Sequence, residues 1–404
     1  MRPGVKDSKN TFANYNILWR GVVLNRIRAL RKPKEESYID YSLIFIILFL
    51  LAFGLVMVYS TSSYEANLDL GDSSYYFRHQ LVSTVIGLAA MLIVSYIPYR
   101  FIAKFAFPIY VAAAVLILLV IPFGKRINGA KRWIFIMGMS VQPAEVAKFA
   151  VIVFSAVLII KLRKNLLTPR GYLTALAFPT LYSLLVYGIT KNLSSAIIIM
   201  GITVVMLFIS TPGYKKYIIA ALSLVAVVAV AVIIIVNADH SSGMNYRFER
   251  VLAWIDPNAH ASGKGFQTLQ ALYAIGSGGI FGKGLGESMQ KMGFIPEAQN
   301  DMIFSVICEE LGLFGAIAVM LMFLLLIWRL MIIANNSPDM LGALLVIGVM
   351  GHISIQVILN IAVVTNTIPN TGITLPFISY GGSAVIIQLA EVGLALNVAR
   401  NIGR

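Results

Sequence analysis

Long apolar runs separated by short polar breaks make up most of this chain. YSLIFIILFLLAFGLVMVY and YIIAALSLVAVVAVAVIIIV are two of them. A run of about 18 or more apolar residues is long enough to cross a bilayer as a helix. Ten such runs occur, with cores near 42–60, 79–96, 101–122, 143–160, 171–190, 192–210, 217–237, 302–328, 341–364 and 376–399. Only Thr190-Lys191-Asn192 separates the fifth from the sixth, so a re-entrant pair is the alternative to two full spans there. The expected fold class is an all-α polytopic membrane protein of ten transmembrane helices. A basic tail, residues 1–40, precedes the transmembrane domain, residues 41–404.

Composition agrees with this pattern. Hydrophobic residues make up 58% of the 404 and charged residues 12%, against about 25% charged in an average soluble protein. The net charge of +14 suits basic loops facing anionic lipid, so membrane lipid is the expected partner and nucleic acid is not. The single cysteine, Cys308, can form no internal disulfide. The first 37 residues are polar and basic and lack the apolar core of a secretory signal peptide.

Short-loop Lys and Arg set the orientation. The N-terminal segment carries nine, including Arg26, Arg28, Arg31, Lys32 and Lys34. Placing it in the cytoplasm also places there Arg100 and Lys104, Lys161 to Arg170, Lys215 and Lys216, Arg329, and the C-terminal Arg400 and Arg404. The first outer loop is acidic, with Glu65, Asp69 and Asp72. Both termini are then cytoplasmic. One short outer loop breaks the rule: residues 123–142 carry Lys125, Arg126, Lys131 and Arg132. Cations held on the outer face against the usual bias point to an anionic ligand. Trp133 beside them suits an interfacial belt.

The outer loop at 238–301 is too long for a connector. Its apolar stretches, such as FQTLQALYAI, suit amphipathic helices at the interface. Its end reads FIPEAQNDMIFSVICEELG. With Pro296 in a first helical turn, Glu297 and Asp301 would share a face at i, i+4. A carboxylate at the mouth of an apolar bundle loses solvation and rises toward the pKa of a general base; the plainer role for Asp301 is a helix cap. The glycine-rich GSGGIFGKGLG at 276–286 offers either close backbone approach to a ligand, flanked by Lys283 and Lys291, or a flexible hinge. Glu145 and Lys148, at i, i+3 in the fourth span, form either a functional pair or a structural salt bridge. Arg247, Glu249 and Arg250 read as a solvated helix face. The prolines and glycines of TNTIPNTGITLPFISYGGSAV at 365–385 suggest a broken entry to the tenth span, tolerated where it lines a cavity. No metal-ligand spacing, Ser-His-Asp set or P-loop is visible.

GAKRWI before QPAEVAK, AIGSGGIFGKGLGESMQK, PEAQNDMIFSVICEELG and PFISYGGSA, in that order from about residue 40 onward, resemble the motifs of the SEDS family, the RodA, FtsW and SpoVE group of cell-wall proteins. GKGLGESMQK is most similar to the division and sporulation branch. The resemblance implies a peptidoglycan glycosyltransferase that polymerises glycan strands from lipid II in the bacterial cell membrane. It also implies a class B penicillin-binding protein and other division proteins as partners. The family's essential aspartate falls on Asp301. Lys131, Arg132, Trp133, Lys283, Lys291 and Glu297 are then candidate substrate-binding residues, with Glu145, Lys148, Ser379 and Gly381 supporting. A divalent cation, Mg or Mn, bridging phosphate oxygens is the one cofactor this chemistry suggests; no protein metal ligands are assigned. The chain departs from the pattern at Gln299-Asn300, where His-Thr is common, at Lys191 to Ser195, which lacks an acid, and at Ser383-Ala384. Two other classes fit ten spans, a lipid II flippase and a non-catalytic scaffold for the penicillin-binding protein. The outer placement of Asp301 and the basic loop favours the enzyme.

Overall fold

The computed structural model describes residues 40–402, apart from 128–129, 137–138, 238–245 and 264. All of the basic tail except Asp40 lies outside the described residues. Each apolar run is largely helical, the third being divided among three short helices. The elements are α1 (Tyr41–Leu70), α2 (Tyr75–Tyr96), α3 (Tyr99–Lys104), α4 (Ala106–Leu118), α5 (Val120–Phe123), β1 (Lys125–Ile127), β2 (Ala130–Ile136), β3 (Met139–Val141), α6 (Pro143–Leu162), α7 (Pro169–Thr190), α8 (Leu193–Ser210), α9 (Lys215–Asn237), α10 (Tyr246–Ile255), α11 (Gly265–Gly278), α12 (Ile303–Asn335), α13 (Met340–Val364) and α14 (Gly382–Arg400). Among the described residues ten helices are long and apolar enough to cross a membrane, α4 and α5 together making one of them.

The fifth and sixth spans are separate helices, not a re-entrant pair. Lys191 takes a left-handed conformation (φ 54°) that ends α7, and the Asn192 side chain accepts the Ser195 N–H (3.0 Å) to start α8. The tenth span starts later than its apolar run, at Gly382. Pro376 and the positive φ of Phe377 (63°) turn the preceding chain away from helix.

The fold is not purely α. Residues 125–141 form a three-stranded antiparallel sheet in the order β1-β2-β3. Lys125 pairs with Trp133, Arg126 with Lys131 and Ile134 with Val141. Two signals for it stand in the sequence: Asn128-Gly129 between short runs, and aromatic and β-branched residues from Trp133 to Ile136.

The centre of the bundle is α6, α13 and α14, whose apolar windows are mostly buried. Beside them α2 packs on α14, with Gly87 against Leu389 and Ile386 and Gly393 against the Met91 backbone. Small residues at such crossings let helices approach closely where lipid supplies no hydrophobic drive.

The glycine-rich loop packs into a break in α12. Gly312 there has φ 66° and ψ −165°. The break frees two carbonyls and two amides, which apolar surroundings cannot solvate. The loop takes all four: Lys283 and Gly284 N–H donate to the Glu309 and Glu310 carbonyls (both 2.9 Å), and Leu313 and Phe314 N–H donate to the Gly279 and Ile280 carbonyls (2.9 and 3.1 Å). A Cβ on Gly278 or Gly282 would collide with the carbonyl of Cys308 or Glu310. Gly278 and Gly282 therefore allow backbone to meet backbone.

Gly282 and Gly286 both have left-handed φ (78° and 86°), but Gly286 has nothing near its Cβ position. Gly282→Ala is expected to lower the thermal unfolding midpoint of the detergent-purified protein more than Gly286→Ala, by at least about 2 kcal/mol in stability. Equal midpoints would show that the loop is not seated in the α12 break.

Candidate active site

Residues 296–302 are turns, and α12 begins only at Ile303. Glu297 adopts φ 57°, which breaks any helix through this segment. Glu297 and Asp301 therefore do not share a helix face. Asp301 is not the helix cap either: that position is Met302, with no side-chain cap bond. The segment is held by its neighbours. Asn300 Nδ2 donates to the Glu297 carboxylate, Tyr380 N–H donates to the Gln299 carbonyl (2.9 Å), and Asn360 Nδ2 donates to the Asp301 carbonyl (2.8 Å).

The Asp301 side chain lies at the head of α12 and the residue is only 8% exposed. Burial, reinforced by the negative charge of Glu297, pushes its carboxyl up to about 7, against the pull of a backbone hydrogen bond and of Arg250. At neutral pH such a group can both take and release a proton. The tip of loop 365–381 approaches it at Gly372. That loop is anchored by Ser194 Oγ to the Thr371 carbonyl (2.6 Å), Gly372 N–H to Asn370 Oδ1 (3.0 Å) and Asn370 Nδ2 to Gln267 Oε1 (2.8 Å).

Arg250, which the sequence reads as part of a solvated helix face, instead packs against the loop that approaches Asp301. Its Nη1 donates to the Asn370 carbonyl (3.0 Å), and its charge acts on Asp301. One turn on, Trp254 Nε1 donates to the Asn366 carbonyl (3.0 Å). The i, i+4 spacing of Arg250 and Trp254 on α10 was the available signal.

Lys283 and Lys291 are not open cations beside a ligand. Lys283 Nζ lies 2.6 Å from Glu309 Oε1, and Lys291 Nζ lies 2.7 Å from Glu310 Oε1. Ser288 Oγ and the Met289 and Gln290 amides also donate to Glu309, and Ser60 Oγ donates to Glu310 (2.7 Å). Two carboxylates buried in an apolar bundle need such compensation, and the two lysines provide it.

In the sheet, Lys131 Nζ donates to the Ile121 carbonyl (3.2 Å), and the Arg132 guanidinium donates to the Thr190 and Lys191 carbonyls (3.3 and 3.4 Å) at the end of α7. Trp133 is half-buried, and Lys125, paired with it across the strands, lies over the Phe135 ring (4.5 Å). Gln142 N–H donates to Ser383 Oγ (3.1 Å) at the start of α14. The sheet and Asp301 therefore sit at the same end of the bundle.

Glu145 and Lys148 form a buried ion pair (2.7 Å), and Lys148 Nζ also donates to Gln356 Oε1 (3.3 Å). Ser379 is buried: its Oγ accepts the Leu375 N–H (2.7 Å) and its carbonyl accepts from Gln80 Nε2 (3.2 Å), while Gly381 N–H donates to Gln80 Oε1 (3.1 Å). All four are thus tied to neighbouring elements of the bundle.

Over residues 41–403 the chain matches the cell cycle protein family of FtsW, RodA and SpoVE. A protein of Trichlorobacter lovleyi named probable peptidoglycan glycosyltransferase FtsW is 36% identical over 381 residues, 93% of this chain and 97% of its own length. Stage V sporulation protein E of Bacillus subtilis is 36% identical over 366 residues, 89% of this chain and 97% of its own. A solved structure described as the structural coordination of polymerization and crosslinking by a peptidoglycan synthase complex matches with a TM-score of 0.72 and 27% identity, over 90% of this chain and 98% of that one. The rod shape determining protein RodA of Thermus thermophilus matches with a TM-score of 0.63 and 25% identity, over 90% and 97%. Motif order, helical architecture and similarity along nearly the whole length agree, and the chain belongs to the FtsW, RodA and SpoVE family.

Proposed function

We propose that this multi-pass membrane protein is a peptidoglycan glycosyltransferase that polymerises glycan strands from lipid II, with Asp301 as its general base. The observation that carries this reading is a buried carboxylate pushed up to about 7 at the end of the bundle where the cationic sheet also sits. Relatives of this length are named peptidoglycan glycosyltransferases, which supports the same reaction here.

Asp301 takes the proton of the acceptor GlcNAc 4-hydroxyl as its oxygen attacks the anomeric carbon of the donor MurNAc. The bond to undecaprenyl pyrophosphate breaks in the same displacement, so an α-linked donor gives a β-1,4 product. A leaving pyrophosphate is a stable anion and needs positive charge more than a general acid. Lys283 and Lys291 are paired with Glu309 and Glu310, and Arg250, whose charge acts on Asp301, is a further candidate cation for it. Lys131 and Arg132 raise the local concentration of the anionic lipid. A divalent cation would add Lewis-acid help, but among the described residues no three acid, His or Cys side chains converge to hold one.

The Asp301 end of the bundle then faces outward from the bacterial cell membrane. A class B penicillin-binding protein is the proposed partner, by analogy with the complex that couples polymerization to crosslinking. Similarity to FtsW and to the sporulation protein favours the division septum, with other division proteins. A flippase would need charges able to accompany a substrate through the bundle. The charges there, Glu145 with Lys148 and His352 with Glu391, are instead locked to each other.

Asp301→Asn, purified with its transpeptidase partner, is expected to lose labelled lipid II polymerisation by about 10³-fold while the complex stays intact. Polymerisation at the wild-type rate would remove Asp301 as the base. Arg250→Gln is expected to lower kcat/KM by about 10²-fold. It should also move the acid limb of the pH profile upward, because the attraction that lowers the Asp301 pKa is gone. A profile with unchanged height and midpoint would take Arg250 out of the site.

A further inference from the structure

We infer that Asn360 is the positioning residue for Asp301: its side-chain amide ties the Asp301 backbone to the loop that faces the carboxylate. The inference rests on Asp301 being the base. Asn360 Nδ2 donates to the Asp301 carbonyl (2.8 Å) and to the Ile373 carbonyl (2.7 Å), and the residue is fully buried. One amide thus fixes the spacing between the head of α12 and loop 371–375. Gly372, beside Ile373, comes close to the Asp301 carboxylate.

A second rung lies one turn earlier on α13. Gln356 Nε2 donates to the Thr374 carbonyl (3.0 Å) and hydroxyl (3.2 Å). Spaced i, i+4, the two amides share a face of the helix and hold consecutive carbonyls, Ile373 and Thr374. Neither carbonyl has a helix or strand partner, and in an apolar bundle each would otherwise stay unsatisfied.

The orientation of the lower rung is set by charge. Gln356 Oε1 accepts from Lys148 Nζ (3.3 Å) and from His352 Nε2 (2.9 Å). A flipped amide would turn its NH₂ group toward the Lys148 ammonium and its oxygen toward the Thr374 carbonyl, so the flip is disfavoured at both ends. Lys148 is in turn held by Glu145 (2.7 Å), and His352 Nδ1 lies 2.7 Å from Glu391 Oε2. The buried ions of α6, α13 and α14 therefore act on the site through the amide ladder, without touching substrate.

The test is polymerisation by Asn360→Leu, with the same number of side-chain heavy atoms and no donor, in the complex with the transpeptidase. kcat is expected to fall about 30-fold with KM within about twofold, because reacting groups out of position cost rate more than binding. The acid limb of kcat/KM should also move below pH 7. A carboxylate released from its tether gains water while still facing Glu297 and Arg250, and burial is the largest cause of its raised pKa. Asn360→His keeps a ring N–H donor and is expected to recover at least threefold of the lost kcat; it also serves if the Leu variant does not fold. Wild-type kcat in Asn360→Leu, a loss with an unmoved midpoint, or a His variant no better than Leu would each overturn the positioning role. Asp301→Asn run alongside separates the two claims: activity there removes the base, whereas an inactive Asp301→Asn beside a fully active Asn360→Leu removes only the tether.

Discussion

Backbone polar groups inside a lipid-facing bundle must find partners within the protein, and the break in α12 at Gly312 meets that demand in an unusual way. Its freed carbonyls and amides are all taken by the glycine-rich loop, main chain to main chain. This joint nails residues 278–284 to the helix that follows Asp301. It also sets Lys283 and Lys291 against Glu309 and Glu310. Asp301 therefore lies in a segment, residues 285–302, anchored at both ends by that joint.

Charge within the bundle follows one rule. Glu309, Glu310, Glu145, Lys148, His352 and Glu391 each lie within ion-pair distance of an oppositely charged or titratable partner. Asp301 is different. No cation bonds its carboxylate among the described ion pairs, and Arg250 acts on it only through space while Glu297 opposes. A group left in that balance is suited to exchange a proton.

The ten spans were legible in the sequence because an apolar run long enough for a bilayer needs no tertiary information. Asp301 stands out in the sequence as a carboxylate at the mouth of an apolar helix, and the structure buries it just before α12. The partners of Lys283, Lys291 and Arg250 were not legible. Which cation meets which carboxylate is decided by contacts between segments far apart in sequence, and a lysine bound for Glu310 looks the same in sequence as one bound for phosphate. The amide ladder on α13 was hidden for the same reason: Gln356 and Asn360 sit in an apolar run and acquire meaning only when loop 365–381 folds against them. The sheet at 125–141 could have been found, since Asn128-Gly129 between alternating runs is a hairpin signal, but the surrounding hydropathy drew it into the loops.

The central claim is that a buried aspartate, ionising near neutrality, removes the acceptor proton. The pH dependence of kcat/KM for lipid II polymerisation, measured on the intact complex at limiting lipid II, tests it most directly, because that ratio reports the free enzyme's essential base. The account predicts a rate that is low in acid and rises to a plateau through a midpoint of about 7, where burial and Glu297 have placed the Asp301 carboxyl. A midpoint in the ordinary carboxylate range near 4, or a rate flat from pH 5 to 8, would contradict it.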